Sequence, residues 1–226
     1  MARILCLETT TTNCSVALAQ DGNVIAIKED LSNGYSHGEL LHQYIAEVLR
    51  QGECQLSDLD AIAVSKGPGS YTGLRIGVSS AKGLCFANDL PLIATETLKA
   101  LAQQVNPEEI NAIIPMLDAR RMEVYSAVFN SSFEKIRDTK AEIVDEQSFA
   151  AYLEQGKTVF IGNGVEKFEA ICMHPNALFI GNALPSARNM ATLAEMAFQD
   201  KNLEDLAYFE PYYLKDFMGT KPKKKA

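Results

Sequence analysis

Hydrophobic residues fall first into three short runs rich in Ile, Leu and Val, at 3–7, 13–19 and 24–29, the last two joined by the turn residues Asp21-Gly22-Asn23. Such runs predict a three-stranded β-meander. From 36 to 50 the period changes: Leu40, Leu41, Tyr44, Ile45, Val48 and Leu49 recur at helical spacing, and Gly52 stands just past the end. That stretch predicts an amphipathic helix with a wide apolar face. A compact strand (59–65), a Gly/Pro loop (66–72), a helix (73–87), a strand (91–94) and a further helix (96–104) follow. Asn106-Pro107 then breaks the pattern. Beyond it come three more strands at 112–117, 123–130 and 133–138, a helix at 145–155, a strand at 158–161, a helix at 165–172, a strand at 177–180 and a helix at 188–201.

The second half thus repeats the meander and the helix–strand alternation of the first, without residue-level identity between the halves. A duplicated three-strand meander followed by helices is the plan of the actin, hexokinase and Hsp70 ATPase superfamily. The expected fold is α/β, a two-lobed actin-like ATPase (ASKHA, ribonuclease H-like) architecture. Its lobes are expected at 1–105 and 106–220, flanking a cleft, with a basic tail at 221–226.

Composition adds exclusions. With 47% apolar and 22% charged residues in 226, neither a disordered nor a fibrous chain is in play. The first residues reach Glu8 before a signal-peptide apolar region forms, and no run approaches the roughly 18 apolar residues of a membrane span, so a cytoplasmic location is expected. Five scattered cysteines, with no C-x-x-C pair, give no zinc or redox signature. Formal charge is −8, but Lys221, Lys223, Lys224 and Lys225 hold four of the 21 basic side chains; the rest balances 17 bases against 29 acids, or −12. An acidic body does not grip phosphate backbones through its general field, so contact with nucleic acid must come from another subunit or from the tail.

The most specific stretch is Lys66-Gly67-Pro68-Gly69-Ser70-Tyr71-Thr72-Gly73-Leu74-Arg75-Ile76-Gly77, at a strand-to-helix joint where open α/β sheets place their crevices. Its glycines permit close approach, Ser70 or Thr72 can cap the helix, and free N–H groups can face an anion, so Gly67, Gly69, Ser70 and Thr72 form a candidate anion or nucleotide site beside the plain reading of a tight connection. It is not a Walker loop, since Gly73 is followed by Leu74-Arg75. Gly73, Gly77 and Ala81 recur every four residues, with Ser80 and Gly83 nearby, which predicts close approach of another helix, either within this chain or from a neighbour. His37 and His42 are five apart and cannot share a metal from one helix face, so no metal or cofactor is expected. At the phosphate hairpin of the actin-like plan, Glu8-Thr9-Thr10-Thr11 carries no glycine and a longer acid than the usual Asp, and Asp118-Ala119-Arg120-Arg121 takes the corresponding place in the second lobe.

These blocks, with Ser36-His37-Gly38-Glu39-Leu40-Leu41, Ala81-Lys82-Gly83-Leu84, Asp118-Ala119-Arg120 with Glu123-Val124-Tyr125, and Pro211-Tyr212-Tyr213-Leu214, run in order along nearly the whole chain and resemble the TsaB (YeaZ) family of tRNA threonylcarbamoyladenosine biosynthesis proteins. That family usually has Phe at Tyr71, Ser at Gly38 and Asp-Thr-Ser at Glu8-Thr9-Thr10. The resemblance implies a protein that is not itself the catalyst. It implies pairing with a homologous TsaD-type catalytic subunit that modifies N6 of adenosine 37 in tRNAs reading codons that begin with A. A TsaE-type ATPase joins that complex, tRNA is met through the complex, and the same surface can form homodimers. The implied four-helix contact uses the helices at 36–50 and 73–87, so Leu40, Leu41, Tyr44, Ile45, Val48, Gly73, Leu74, Ile76, Gly77, Ser80, Ala81 and Leu84 are expected at the partner interface. Gly77→Leu is expected to break docking and spare the fold. The alternative is a small-molecule kinase or ATPase of the same fold.

Overall fold

In the computed structural model, which describes residues 2–30 and 37–215, two five-stranded mixed sheets carry the chain. In the first, β1 (Arg3–Glu8), β2 (Cys14–Gln20) and β3 (Asn23–Asp30) form the antiparallel meander, and β4 (Ala61–Gly67) and β5 (Leu92–Glu96) extend it in parallel, giving the order β3-β2-β1-β4-β5. The second repeats this with β6 (Ala112–Asp118), β7 (Glu123–Phe129), β8 (Lys135–Ile143), β9 (Thr158–Gly162) and β10 (Ala177–Gly181), in the order β10-β9-β6-β7-β8. Sheet order and strand directions match between the halves, which is the duplicated actin-like plan. The helices are α1 (His37–Gln51), α2 (Tyr71–Asn88), α3 (Thr97–Ala102), α4 (Ala150–Leu153), α5 (Val165–Glu169) and α6 (Ala191–Gln199).

Helices α1 and α2 lie on one face of the first sheet, where Leu41, Ile45, Val48, Val78, Ala81 and Cys85 join Leu5, Leu7, Val16, Leu18, Ile62 and Val64 in one cluster. Burying each large aliphatic side chain there contributes roughly 1.5–3 kcal/mol. The opposite face is covered from the far end of the chain: Ala187, Met190 and Ala194 pack on Ile4, Cys6, Ala17, Ala63 and Ile93. The segment from Ala187 onward, expected with the second lobe, therefore completes the core of the first. Strand-like pairing of Glu204 with Leu92 and burial of Phe209 continue that return.

Three elements differ from the expected pattern. The helix expected at 145–155 shrinks to α4, because Asp145 and Ser148 bond each other's backbone and side chains in a turn and Phe149 sits at φ +63°, outside helical space. The helix expected at 188–201 begins as a 3₁₀ turn (Ala187–Met190) capped by the Ser186 hydroxyl. Strand β8 reaches Ile143 because it pairs with β7 along its whole length; its polar run hid it, as it is an edge strand facing solvent on one side. Ser36 at the start of the expected first helix, and the tail at 221–226, lie outside the described residues.

Candidate functional site: the outer face of α2 and the interlobe cleft

The Gly-rich stretch is stitched to the turn between β1 and β2. The Ser70 N–H donates to the Thr10 carbonyl at 2.7 Å, the Thr9 hydroxyl donates to the Gly73 carbonyl at 2.8 Å, and the Ser70 hydroxyl accepts from the Gly73 N–H. A Cβ on Gly69 would stand 2.5 Å from the Thr10 carbonyl oxygen, one on Gly73 would overlap the Thr9 carbonyl, and one on Gly77 would overlap the Thr9 hydroxyl. Gly67, at φ +110°, faces the Tyr212 carbonyl and Leu74. These glycines exist so that α2 can lie against this chain's own backbone. The Gly73/Gly77/Ala81 row thus faces inward, and what its glycines approach is the turn at Thr9 and not another helix.

That placement bears on which residues of the expected interface are accessible. Leu41, Ile45, Val48, Gly73, Leu74, Gly77 and Ala81 are buried in the first lobe's own core, because the sheet needs a helical cover and these positions share the face toward it. Gly77→Leu would force its side chain into Thr9 and strike the fold itself. Leu40, Tyr44, Ile76, Ser80 and Leu84 stay half-exposed; the Tyr44 ring lies beneath the Lys28 ammonium, and the Ser80 hydroxyl bonds His42 Nε2 at 3.2 Å, tying α2 to α1. A second row of small residues, Ser79, Gly83 and Ala87, runs along the opposite, exposed face of α2 at the same spacing of four. A Cβ at Gly83 would meet nothing within 4 Å, yet glycine inside a helix costs about 1 kcal/mol relative to alanine. One turn on, Phe86 is 84% exposed. The sequence reading missed Phe86; its position three residues after Gly83 and seven after Ser79 was the available signal.

Between the lobes lies a cleft of about 410 Å³ lined by Thr10, Thr11, Thr12, Ser70 and Thr72, by Asp118 and Arg120 of the second lobe, and by Tyr212, Tyr213 and Lys215. Residues 211–215 cross it: the Tyr212 N–H donates to the Lys66 carbonyl at 2.7 Å, the Tyr213 ring packs on Tyr71, and Lys215 pairs with Glu123 of the second lobe. Of the candidate anion-site residues, Gly69, Ser70 and Thr72 line this space and Gly67 does not, but the Ser70 N–H and the Gly73 N–H at the head of α2 already have protein acceptors.

Glu8 ends β1 fully buried, where its carboxylate accepts from the Thr10 N–H at 2.6 Å, the Thr10 hydroxyl and the Ser65 hydroxyl. Burial pushes its pKa up, and the hydrogen bonds only partly offset this. The folded chain then holds this proton to higher pH than the unfolded chain does. The contribution of Glu8 to stability is therefore greatest at acid pH and is lost as pH rises through and above the ordinary carboxylate range. In melting scans from pH 4.5 to 8, Glu8→Gln is expected to gain on the parent steadily as pH rises; a gap that moves the other way would show the ionised carboxylate to be the stabilising form.

The histidines serve structure: His37 Nε2 donates to the buried Thr11 carbonyl at 2.7 Å. Burial pushes the thiols of Cys6, Cys14 and Cys85 up to about 12, where they are poor nucleophiles. Among the described residues no group of three or more His, Cys, Asp or Glu side chains could hold a metal ion, and no helix is long and apolar enough to cross a membrane.

Comparison with known proteins agrees with this geometry. A family model described as "TsaD: tRNA N6-adenosine threonylcarbamoyltransferase" matches residues 33–225. The tRNA threonylcarbamoyladenosine biosynthesis protein TsaB of Escherichia coli K12 is 30% identical over 229 residues, covering 97% of each chain, and that of Haemophilus influenzae is 31% identical, covering 94% of this chain and 93% of its own. The solved structure of YeaZ from Pseudomonas aeruginosa superposes with a TM-score of 0.78 at 27% identity, over 95% of this chain and all of that one. A second Pseudomonas aeruginosa structure, described as similar to peptidase YEAZ, gives 0.81 at 27% identity over the same shares. With relatives aligned end to end and a family model spanning most of its length, this chain belongs to the TsaB (YeaZ) family of TsaD-type proteins.

Proposed function

We propose that this chain is the non-catalytic partner subunit in tRNA threonylcarbamoyladenosine biosynthesis, docking on a TsaD-type catalytic chain that transfers the threonylcarbamoyl group to N6 of adenosine 37. The observation that carries the docking part is the outer face of α2, where an open Gly83 stands beside an exposed Phe86 and half-exposed Ile76, Ser80 and Leu84. A helix of a partner of related fold can approach Gly83 closely there, with Phe86 as the aromatic anchor. His42 of α1, bonded to Ser80, borders it. The same face, being self-complementary in small and apolar residues, also suits a homodimer. A TsaE-type ATPase would join the assembled pair, and a cytoplasmic site of action fits that pathway.

The non-catalytic part is supported by the plugged hairpin. Where an actin-like kinase needs an open glycine turn beside an acid, this chain has Glu8 buried and bonded to Thr10 and Ser65, with α2 seated on Thr9. Reconstitution tests the whole reading. Modified nucleoside on tRNA is expected only when this chain accompanies the catalytic subunit, the ATPase and the activated donor, with no magnesium-dependent ATP turnover by this chain alone. Brisk turnover by the isolated chain would favour a kinase instead.

A further inference from the structure

Each sheet has two edges, and three of the four are protected. β3 ends in Lys28-Glu29-Asp30, β8 carries five charged residues among its nine, and β5 is met by Glu204, whose backbone pairs with Leu92. Charge and cover of this kind keep a sheet edge from pairing with another chain. β10 has neither. It reads Ala177-Leu178-Phe179-Ile180-Gly181 and pairs with β9 on one side, and among the described residues no strand lies on the other. Residues 170–187, 18 in all, contain no Asp, Glu, Lys or Arg, the longest such run in the chain, where a composition of 22% charged residues implies about four.

The backbone fixes what this free edge offers. The Asn176 carbonyl accepts from the Thr158 N–H of β9, and successive residues of a strand turn their backbone groups to opposite sides. Leu178 and Ile180 therefore face β9, while Ala177, Phe179 and Gly181 turn their backbone groups outward. The Ala177 N–H is taken by the His174 carbonyl at 3.0 Å, which leaves the N–H groups of Phe179 and Gly181 and three carbonyls for a new strand. Leu178 and Ile180, each 41% exposed, extend the buried row of Val159 and Ile161 on β9 into solvent.

We infer that β10 is a self-pairing edge, through which two copies of this chain join their second-lobe sheets into one. Antiparallel pairing about a two-fold axis at Phe179 sets Phe179 opposite the second copy's Phe179, Leu178 opposite its Ile180 and Ala177 opposite its Gly181. Large residues meet large and small meet small. The outward groups of Phe179 form a hydrogen-bonded pair, and Leu178 and Ile180 fall in the non-hydrogen-bonded pairs, where side chains stand closest. Two bodies at −8 each meet there without a like charge. A ribbon of five residues a side buries less than the roughly 1,200 Å² of a stable complex, so the pair is weak, with a Kd of about 10⁻⁵ to 10⁻⁴ M. This surface shares no residue with the outer face of α2, so the pairing neither rests on the docking reading nor repeats the homodimer considered there.

Gly83→Arg is the background for the test, because it closes the outer face of α2 to self-association. Sedimentation velocity from about 1 μM to about 1 mM is expected to show monomer passing to dimer. Leu178→Lys with Ile180→Lys places charge on the edge and is expected to weaken the dimer at least tenfold at an unchanged melting temperature. Gly181→Pro removes one outward N–H and keeps the apolar row; nothing lies within 4 Å of a Cβ there, so the ring has room. It is expected to weaken the dimer at least fivefold, since each dimer loses two hydrogen bonds. Amide exchange on the unsubstituted edge needs no strand variant: Phe179 and Gly181 are expected to slow as concentration rises, and Ile180, bonded to β9, is not. The inference is overturned if the chain stays monomeric to about 1 mM, or if the lysine pair leaves the dimer intact. It is also overturned if Gly181→Pro leaves intact a dimer that the lysine pair dissolves, which would make the contact an apolar patch without strand pairing. Slowing of these amides only when the catalytic partner is added to the parent chain would give the edge to that protein and overturn self-pairing as well.

Discussion

Gly73→Ala is expected to lower the melting temperature by about 6–20 °C, the equivalent of about 3–5 kcal/mol in a chain of this size. On an exposed helix the same change would stabilise by about 1 kcal/mol. Here the added methyl overlaps the carbonyl of Thr9, and backbone cannot step aside as a flexible side chain can. The turn it strikes is fixed from three sides: Ser70 and Gly73 of α2 hold Thr10 and Thr9, His37 of α1 holds Thr11, and Glu8 holds Thr10 from within. Thermal denaturation of the purified variant decides the matter. A melting temperature within about 2 °C of the parent would mean that α2 can ride away from the turn at little cost.

Gly83→Arg should do the reverse. It replaces an unhindered helical glycine by a good helix former, so the melting temperature is expected to hold or rise by about 2–4 °C, the return on about 1 kcal/mol. Capture of the catalytic partner is expected to weaken at least 100-fold, because a long charged side chain now stands where close approach needs none, and modified nucleoside should fall with it. Phe86→Asp is expected to act likewise by removing the anchor. Isothermal titration with the partner measures both. Undiminished affinity in the two variants would move the docking surface off α2. Together with Gly73→Ala they form a pair of opposites on one helix, separating what the glycines do inside from what they do outside.

Why the sequence located these helices without deciding which face turns inward has a physical explanation. Fold class was legible because the strand and helix periods are clean: the meander at 3–29, the long helix after Ser70 and their repetition past Asn106-Pro107 all correspond to observed elements. Helical periodicity, though, says which residues share a face and not which face turns inward when both carry small residues. Helix α2 has two rows spaced by four, Gly73/Gly77/Ala81 and Ser79/Gly83/Ala87, on opposite sides. The inward row was decided by Thr9, more than 60 residues away in the chain, through a packing arrangement that no local pattern encodes. The Gly/Pro loop left two readings open for the same reason, since glycine needed against backbone and glycine needed against phosphate read identically. The return of the chain from Ala187 onward to the first sheet was equally hidden, because a strand–helix alternation does not record which sheet a helix covers.

That return has a bearing on how the molecule is made. The face of the first sheet formed by Ile4, Cys6, Ala17, Ala63 and Ile93 waits for Ala187, Met190 and Ala194, which are synthesised long after the strands they cover. At synthesis rates of about 5–20 residues per second, roughly 90 residues pass between completion of β5 and arrival of that cover, so the bare face persists for about 5–20 s. During that interval the nascent chain presents an apolar sheet to the cell, and chaperone engagement should concentrate there; a premature stop anywhere in the second lobe would leave that sheet uncovered for good.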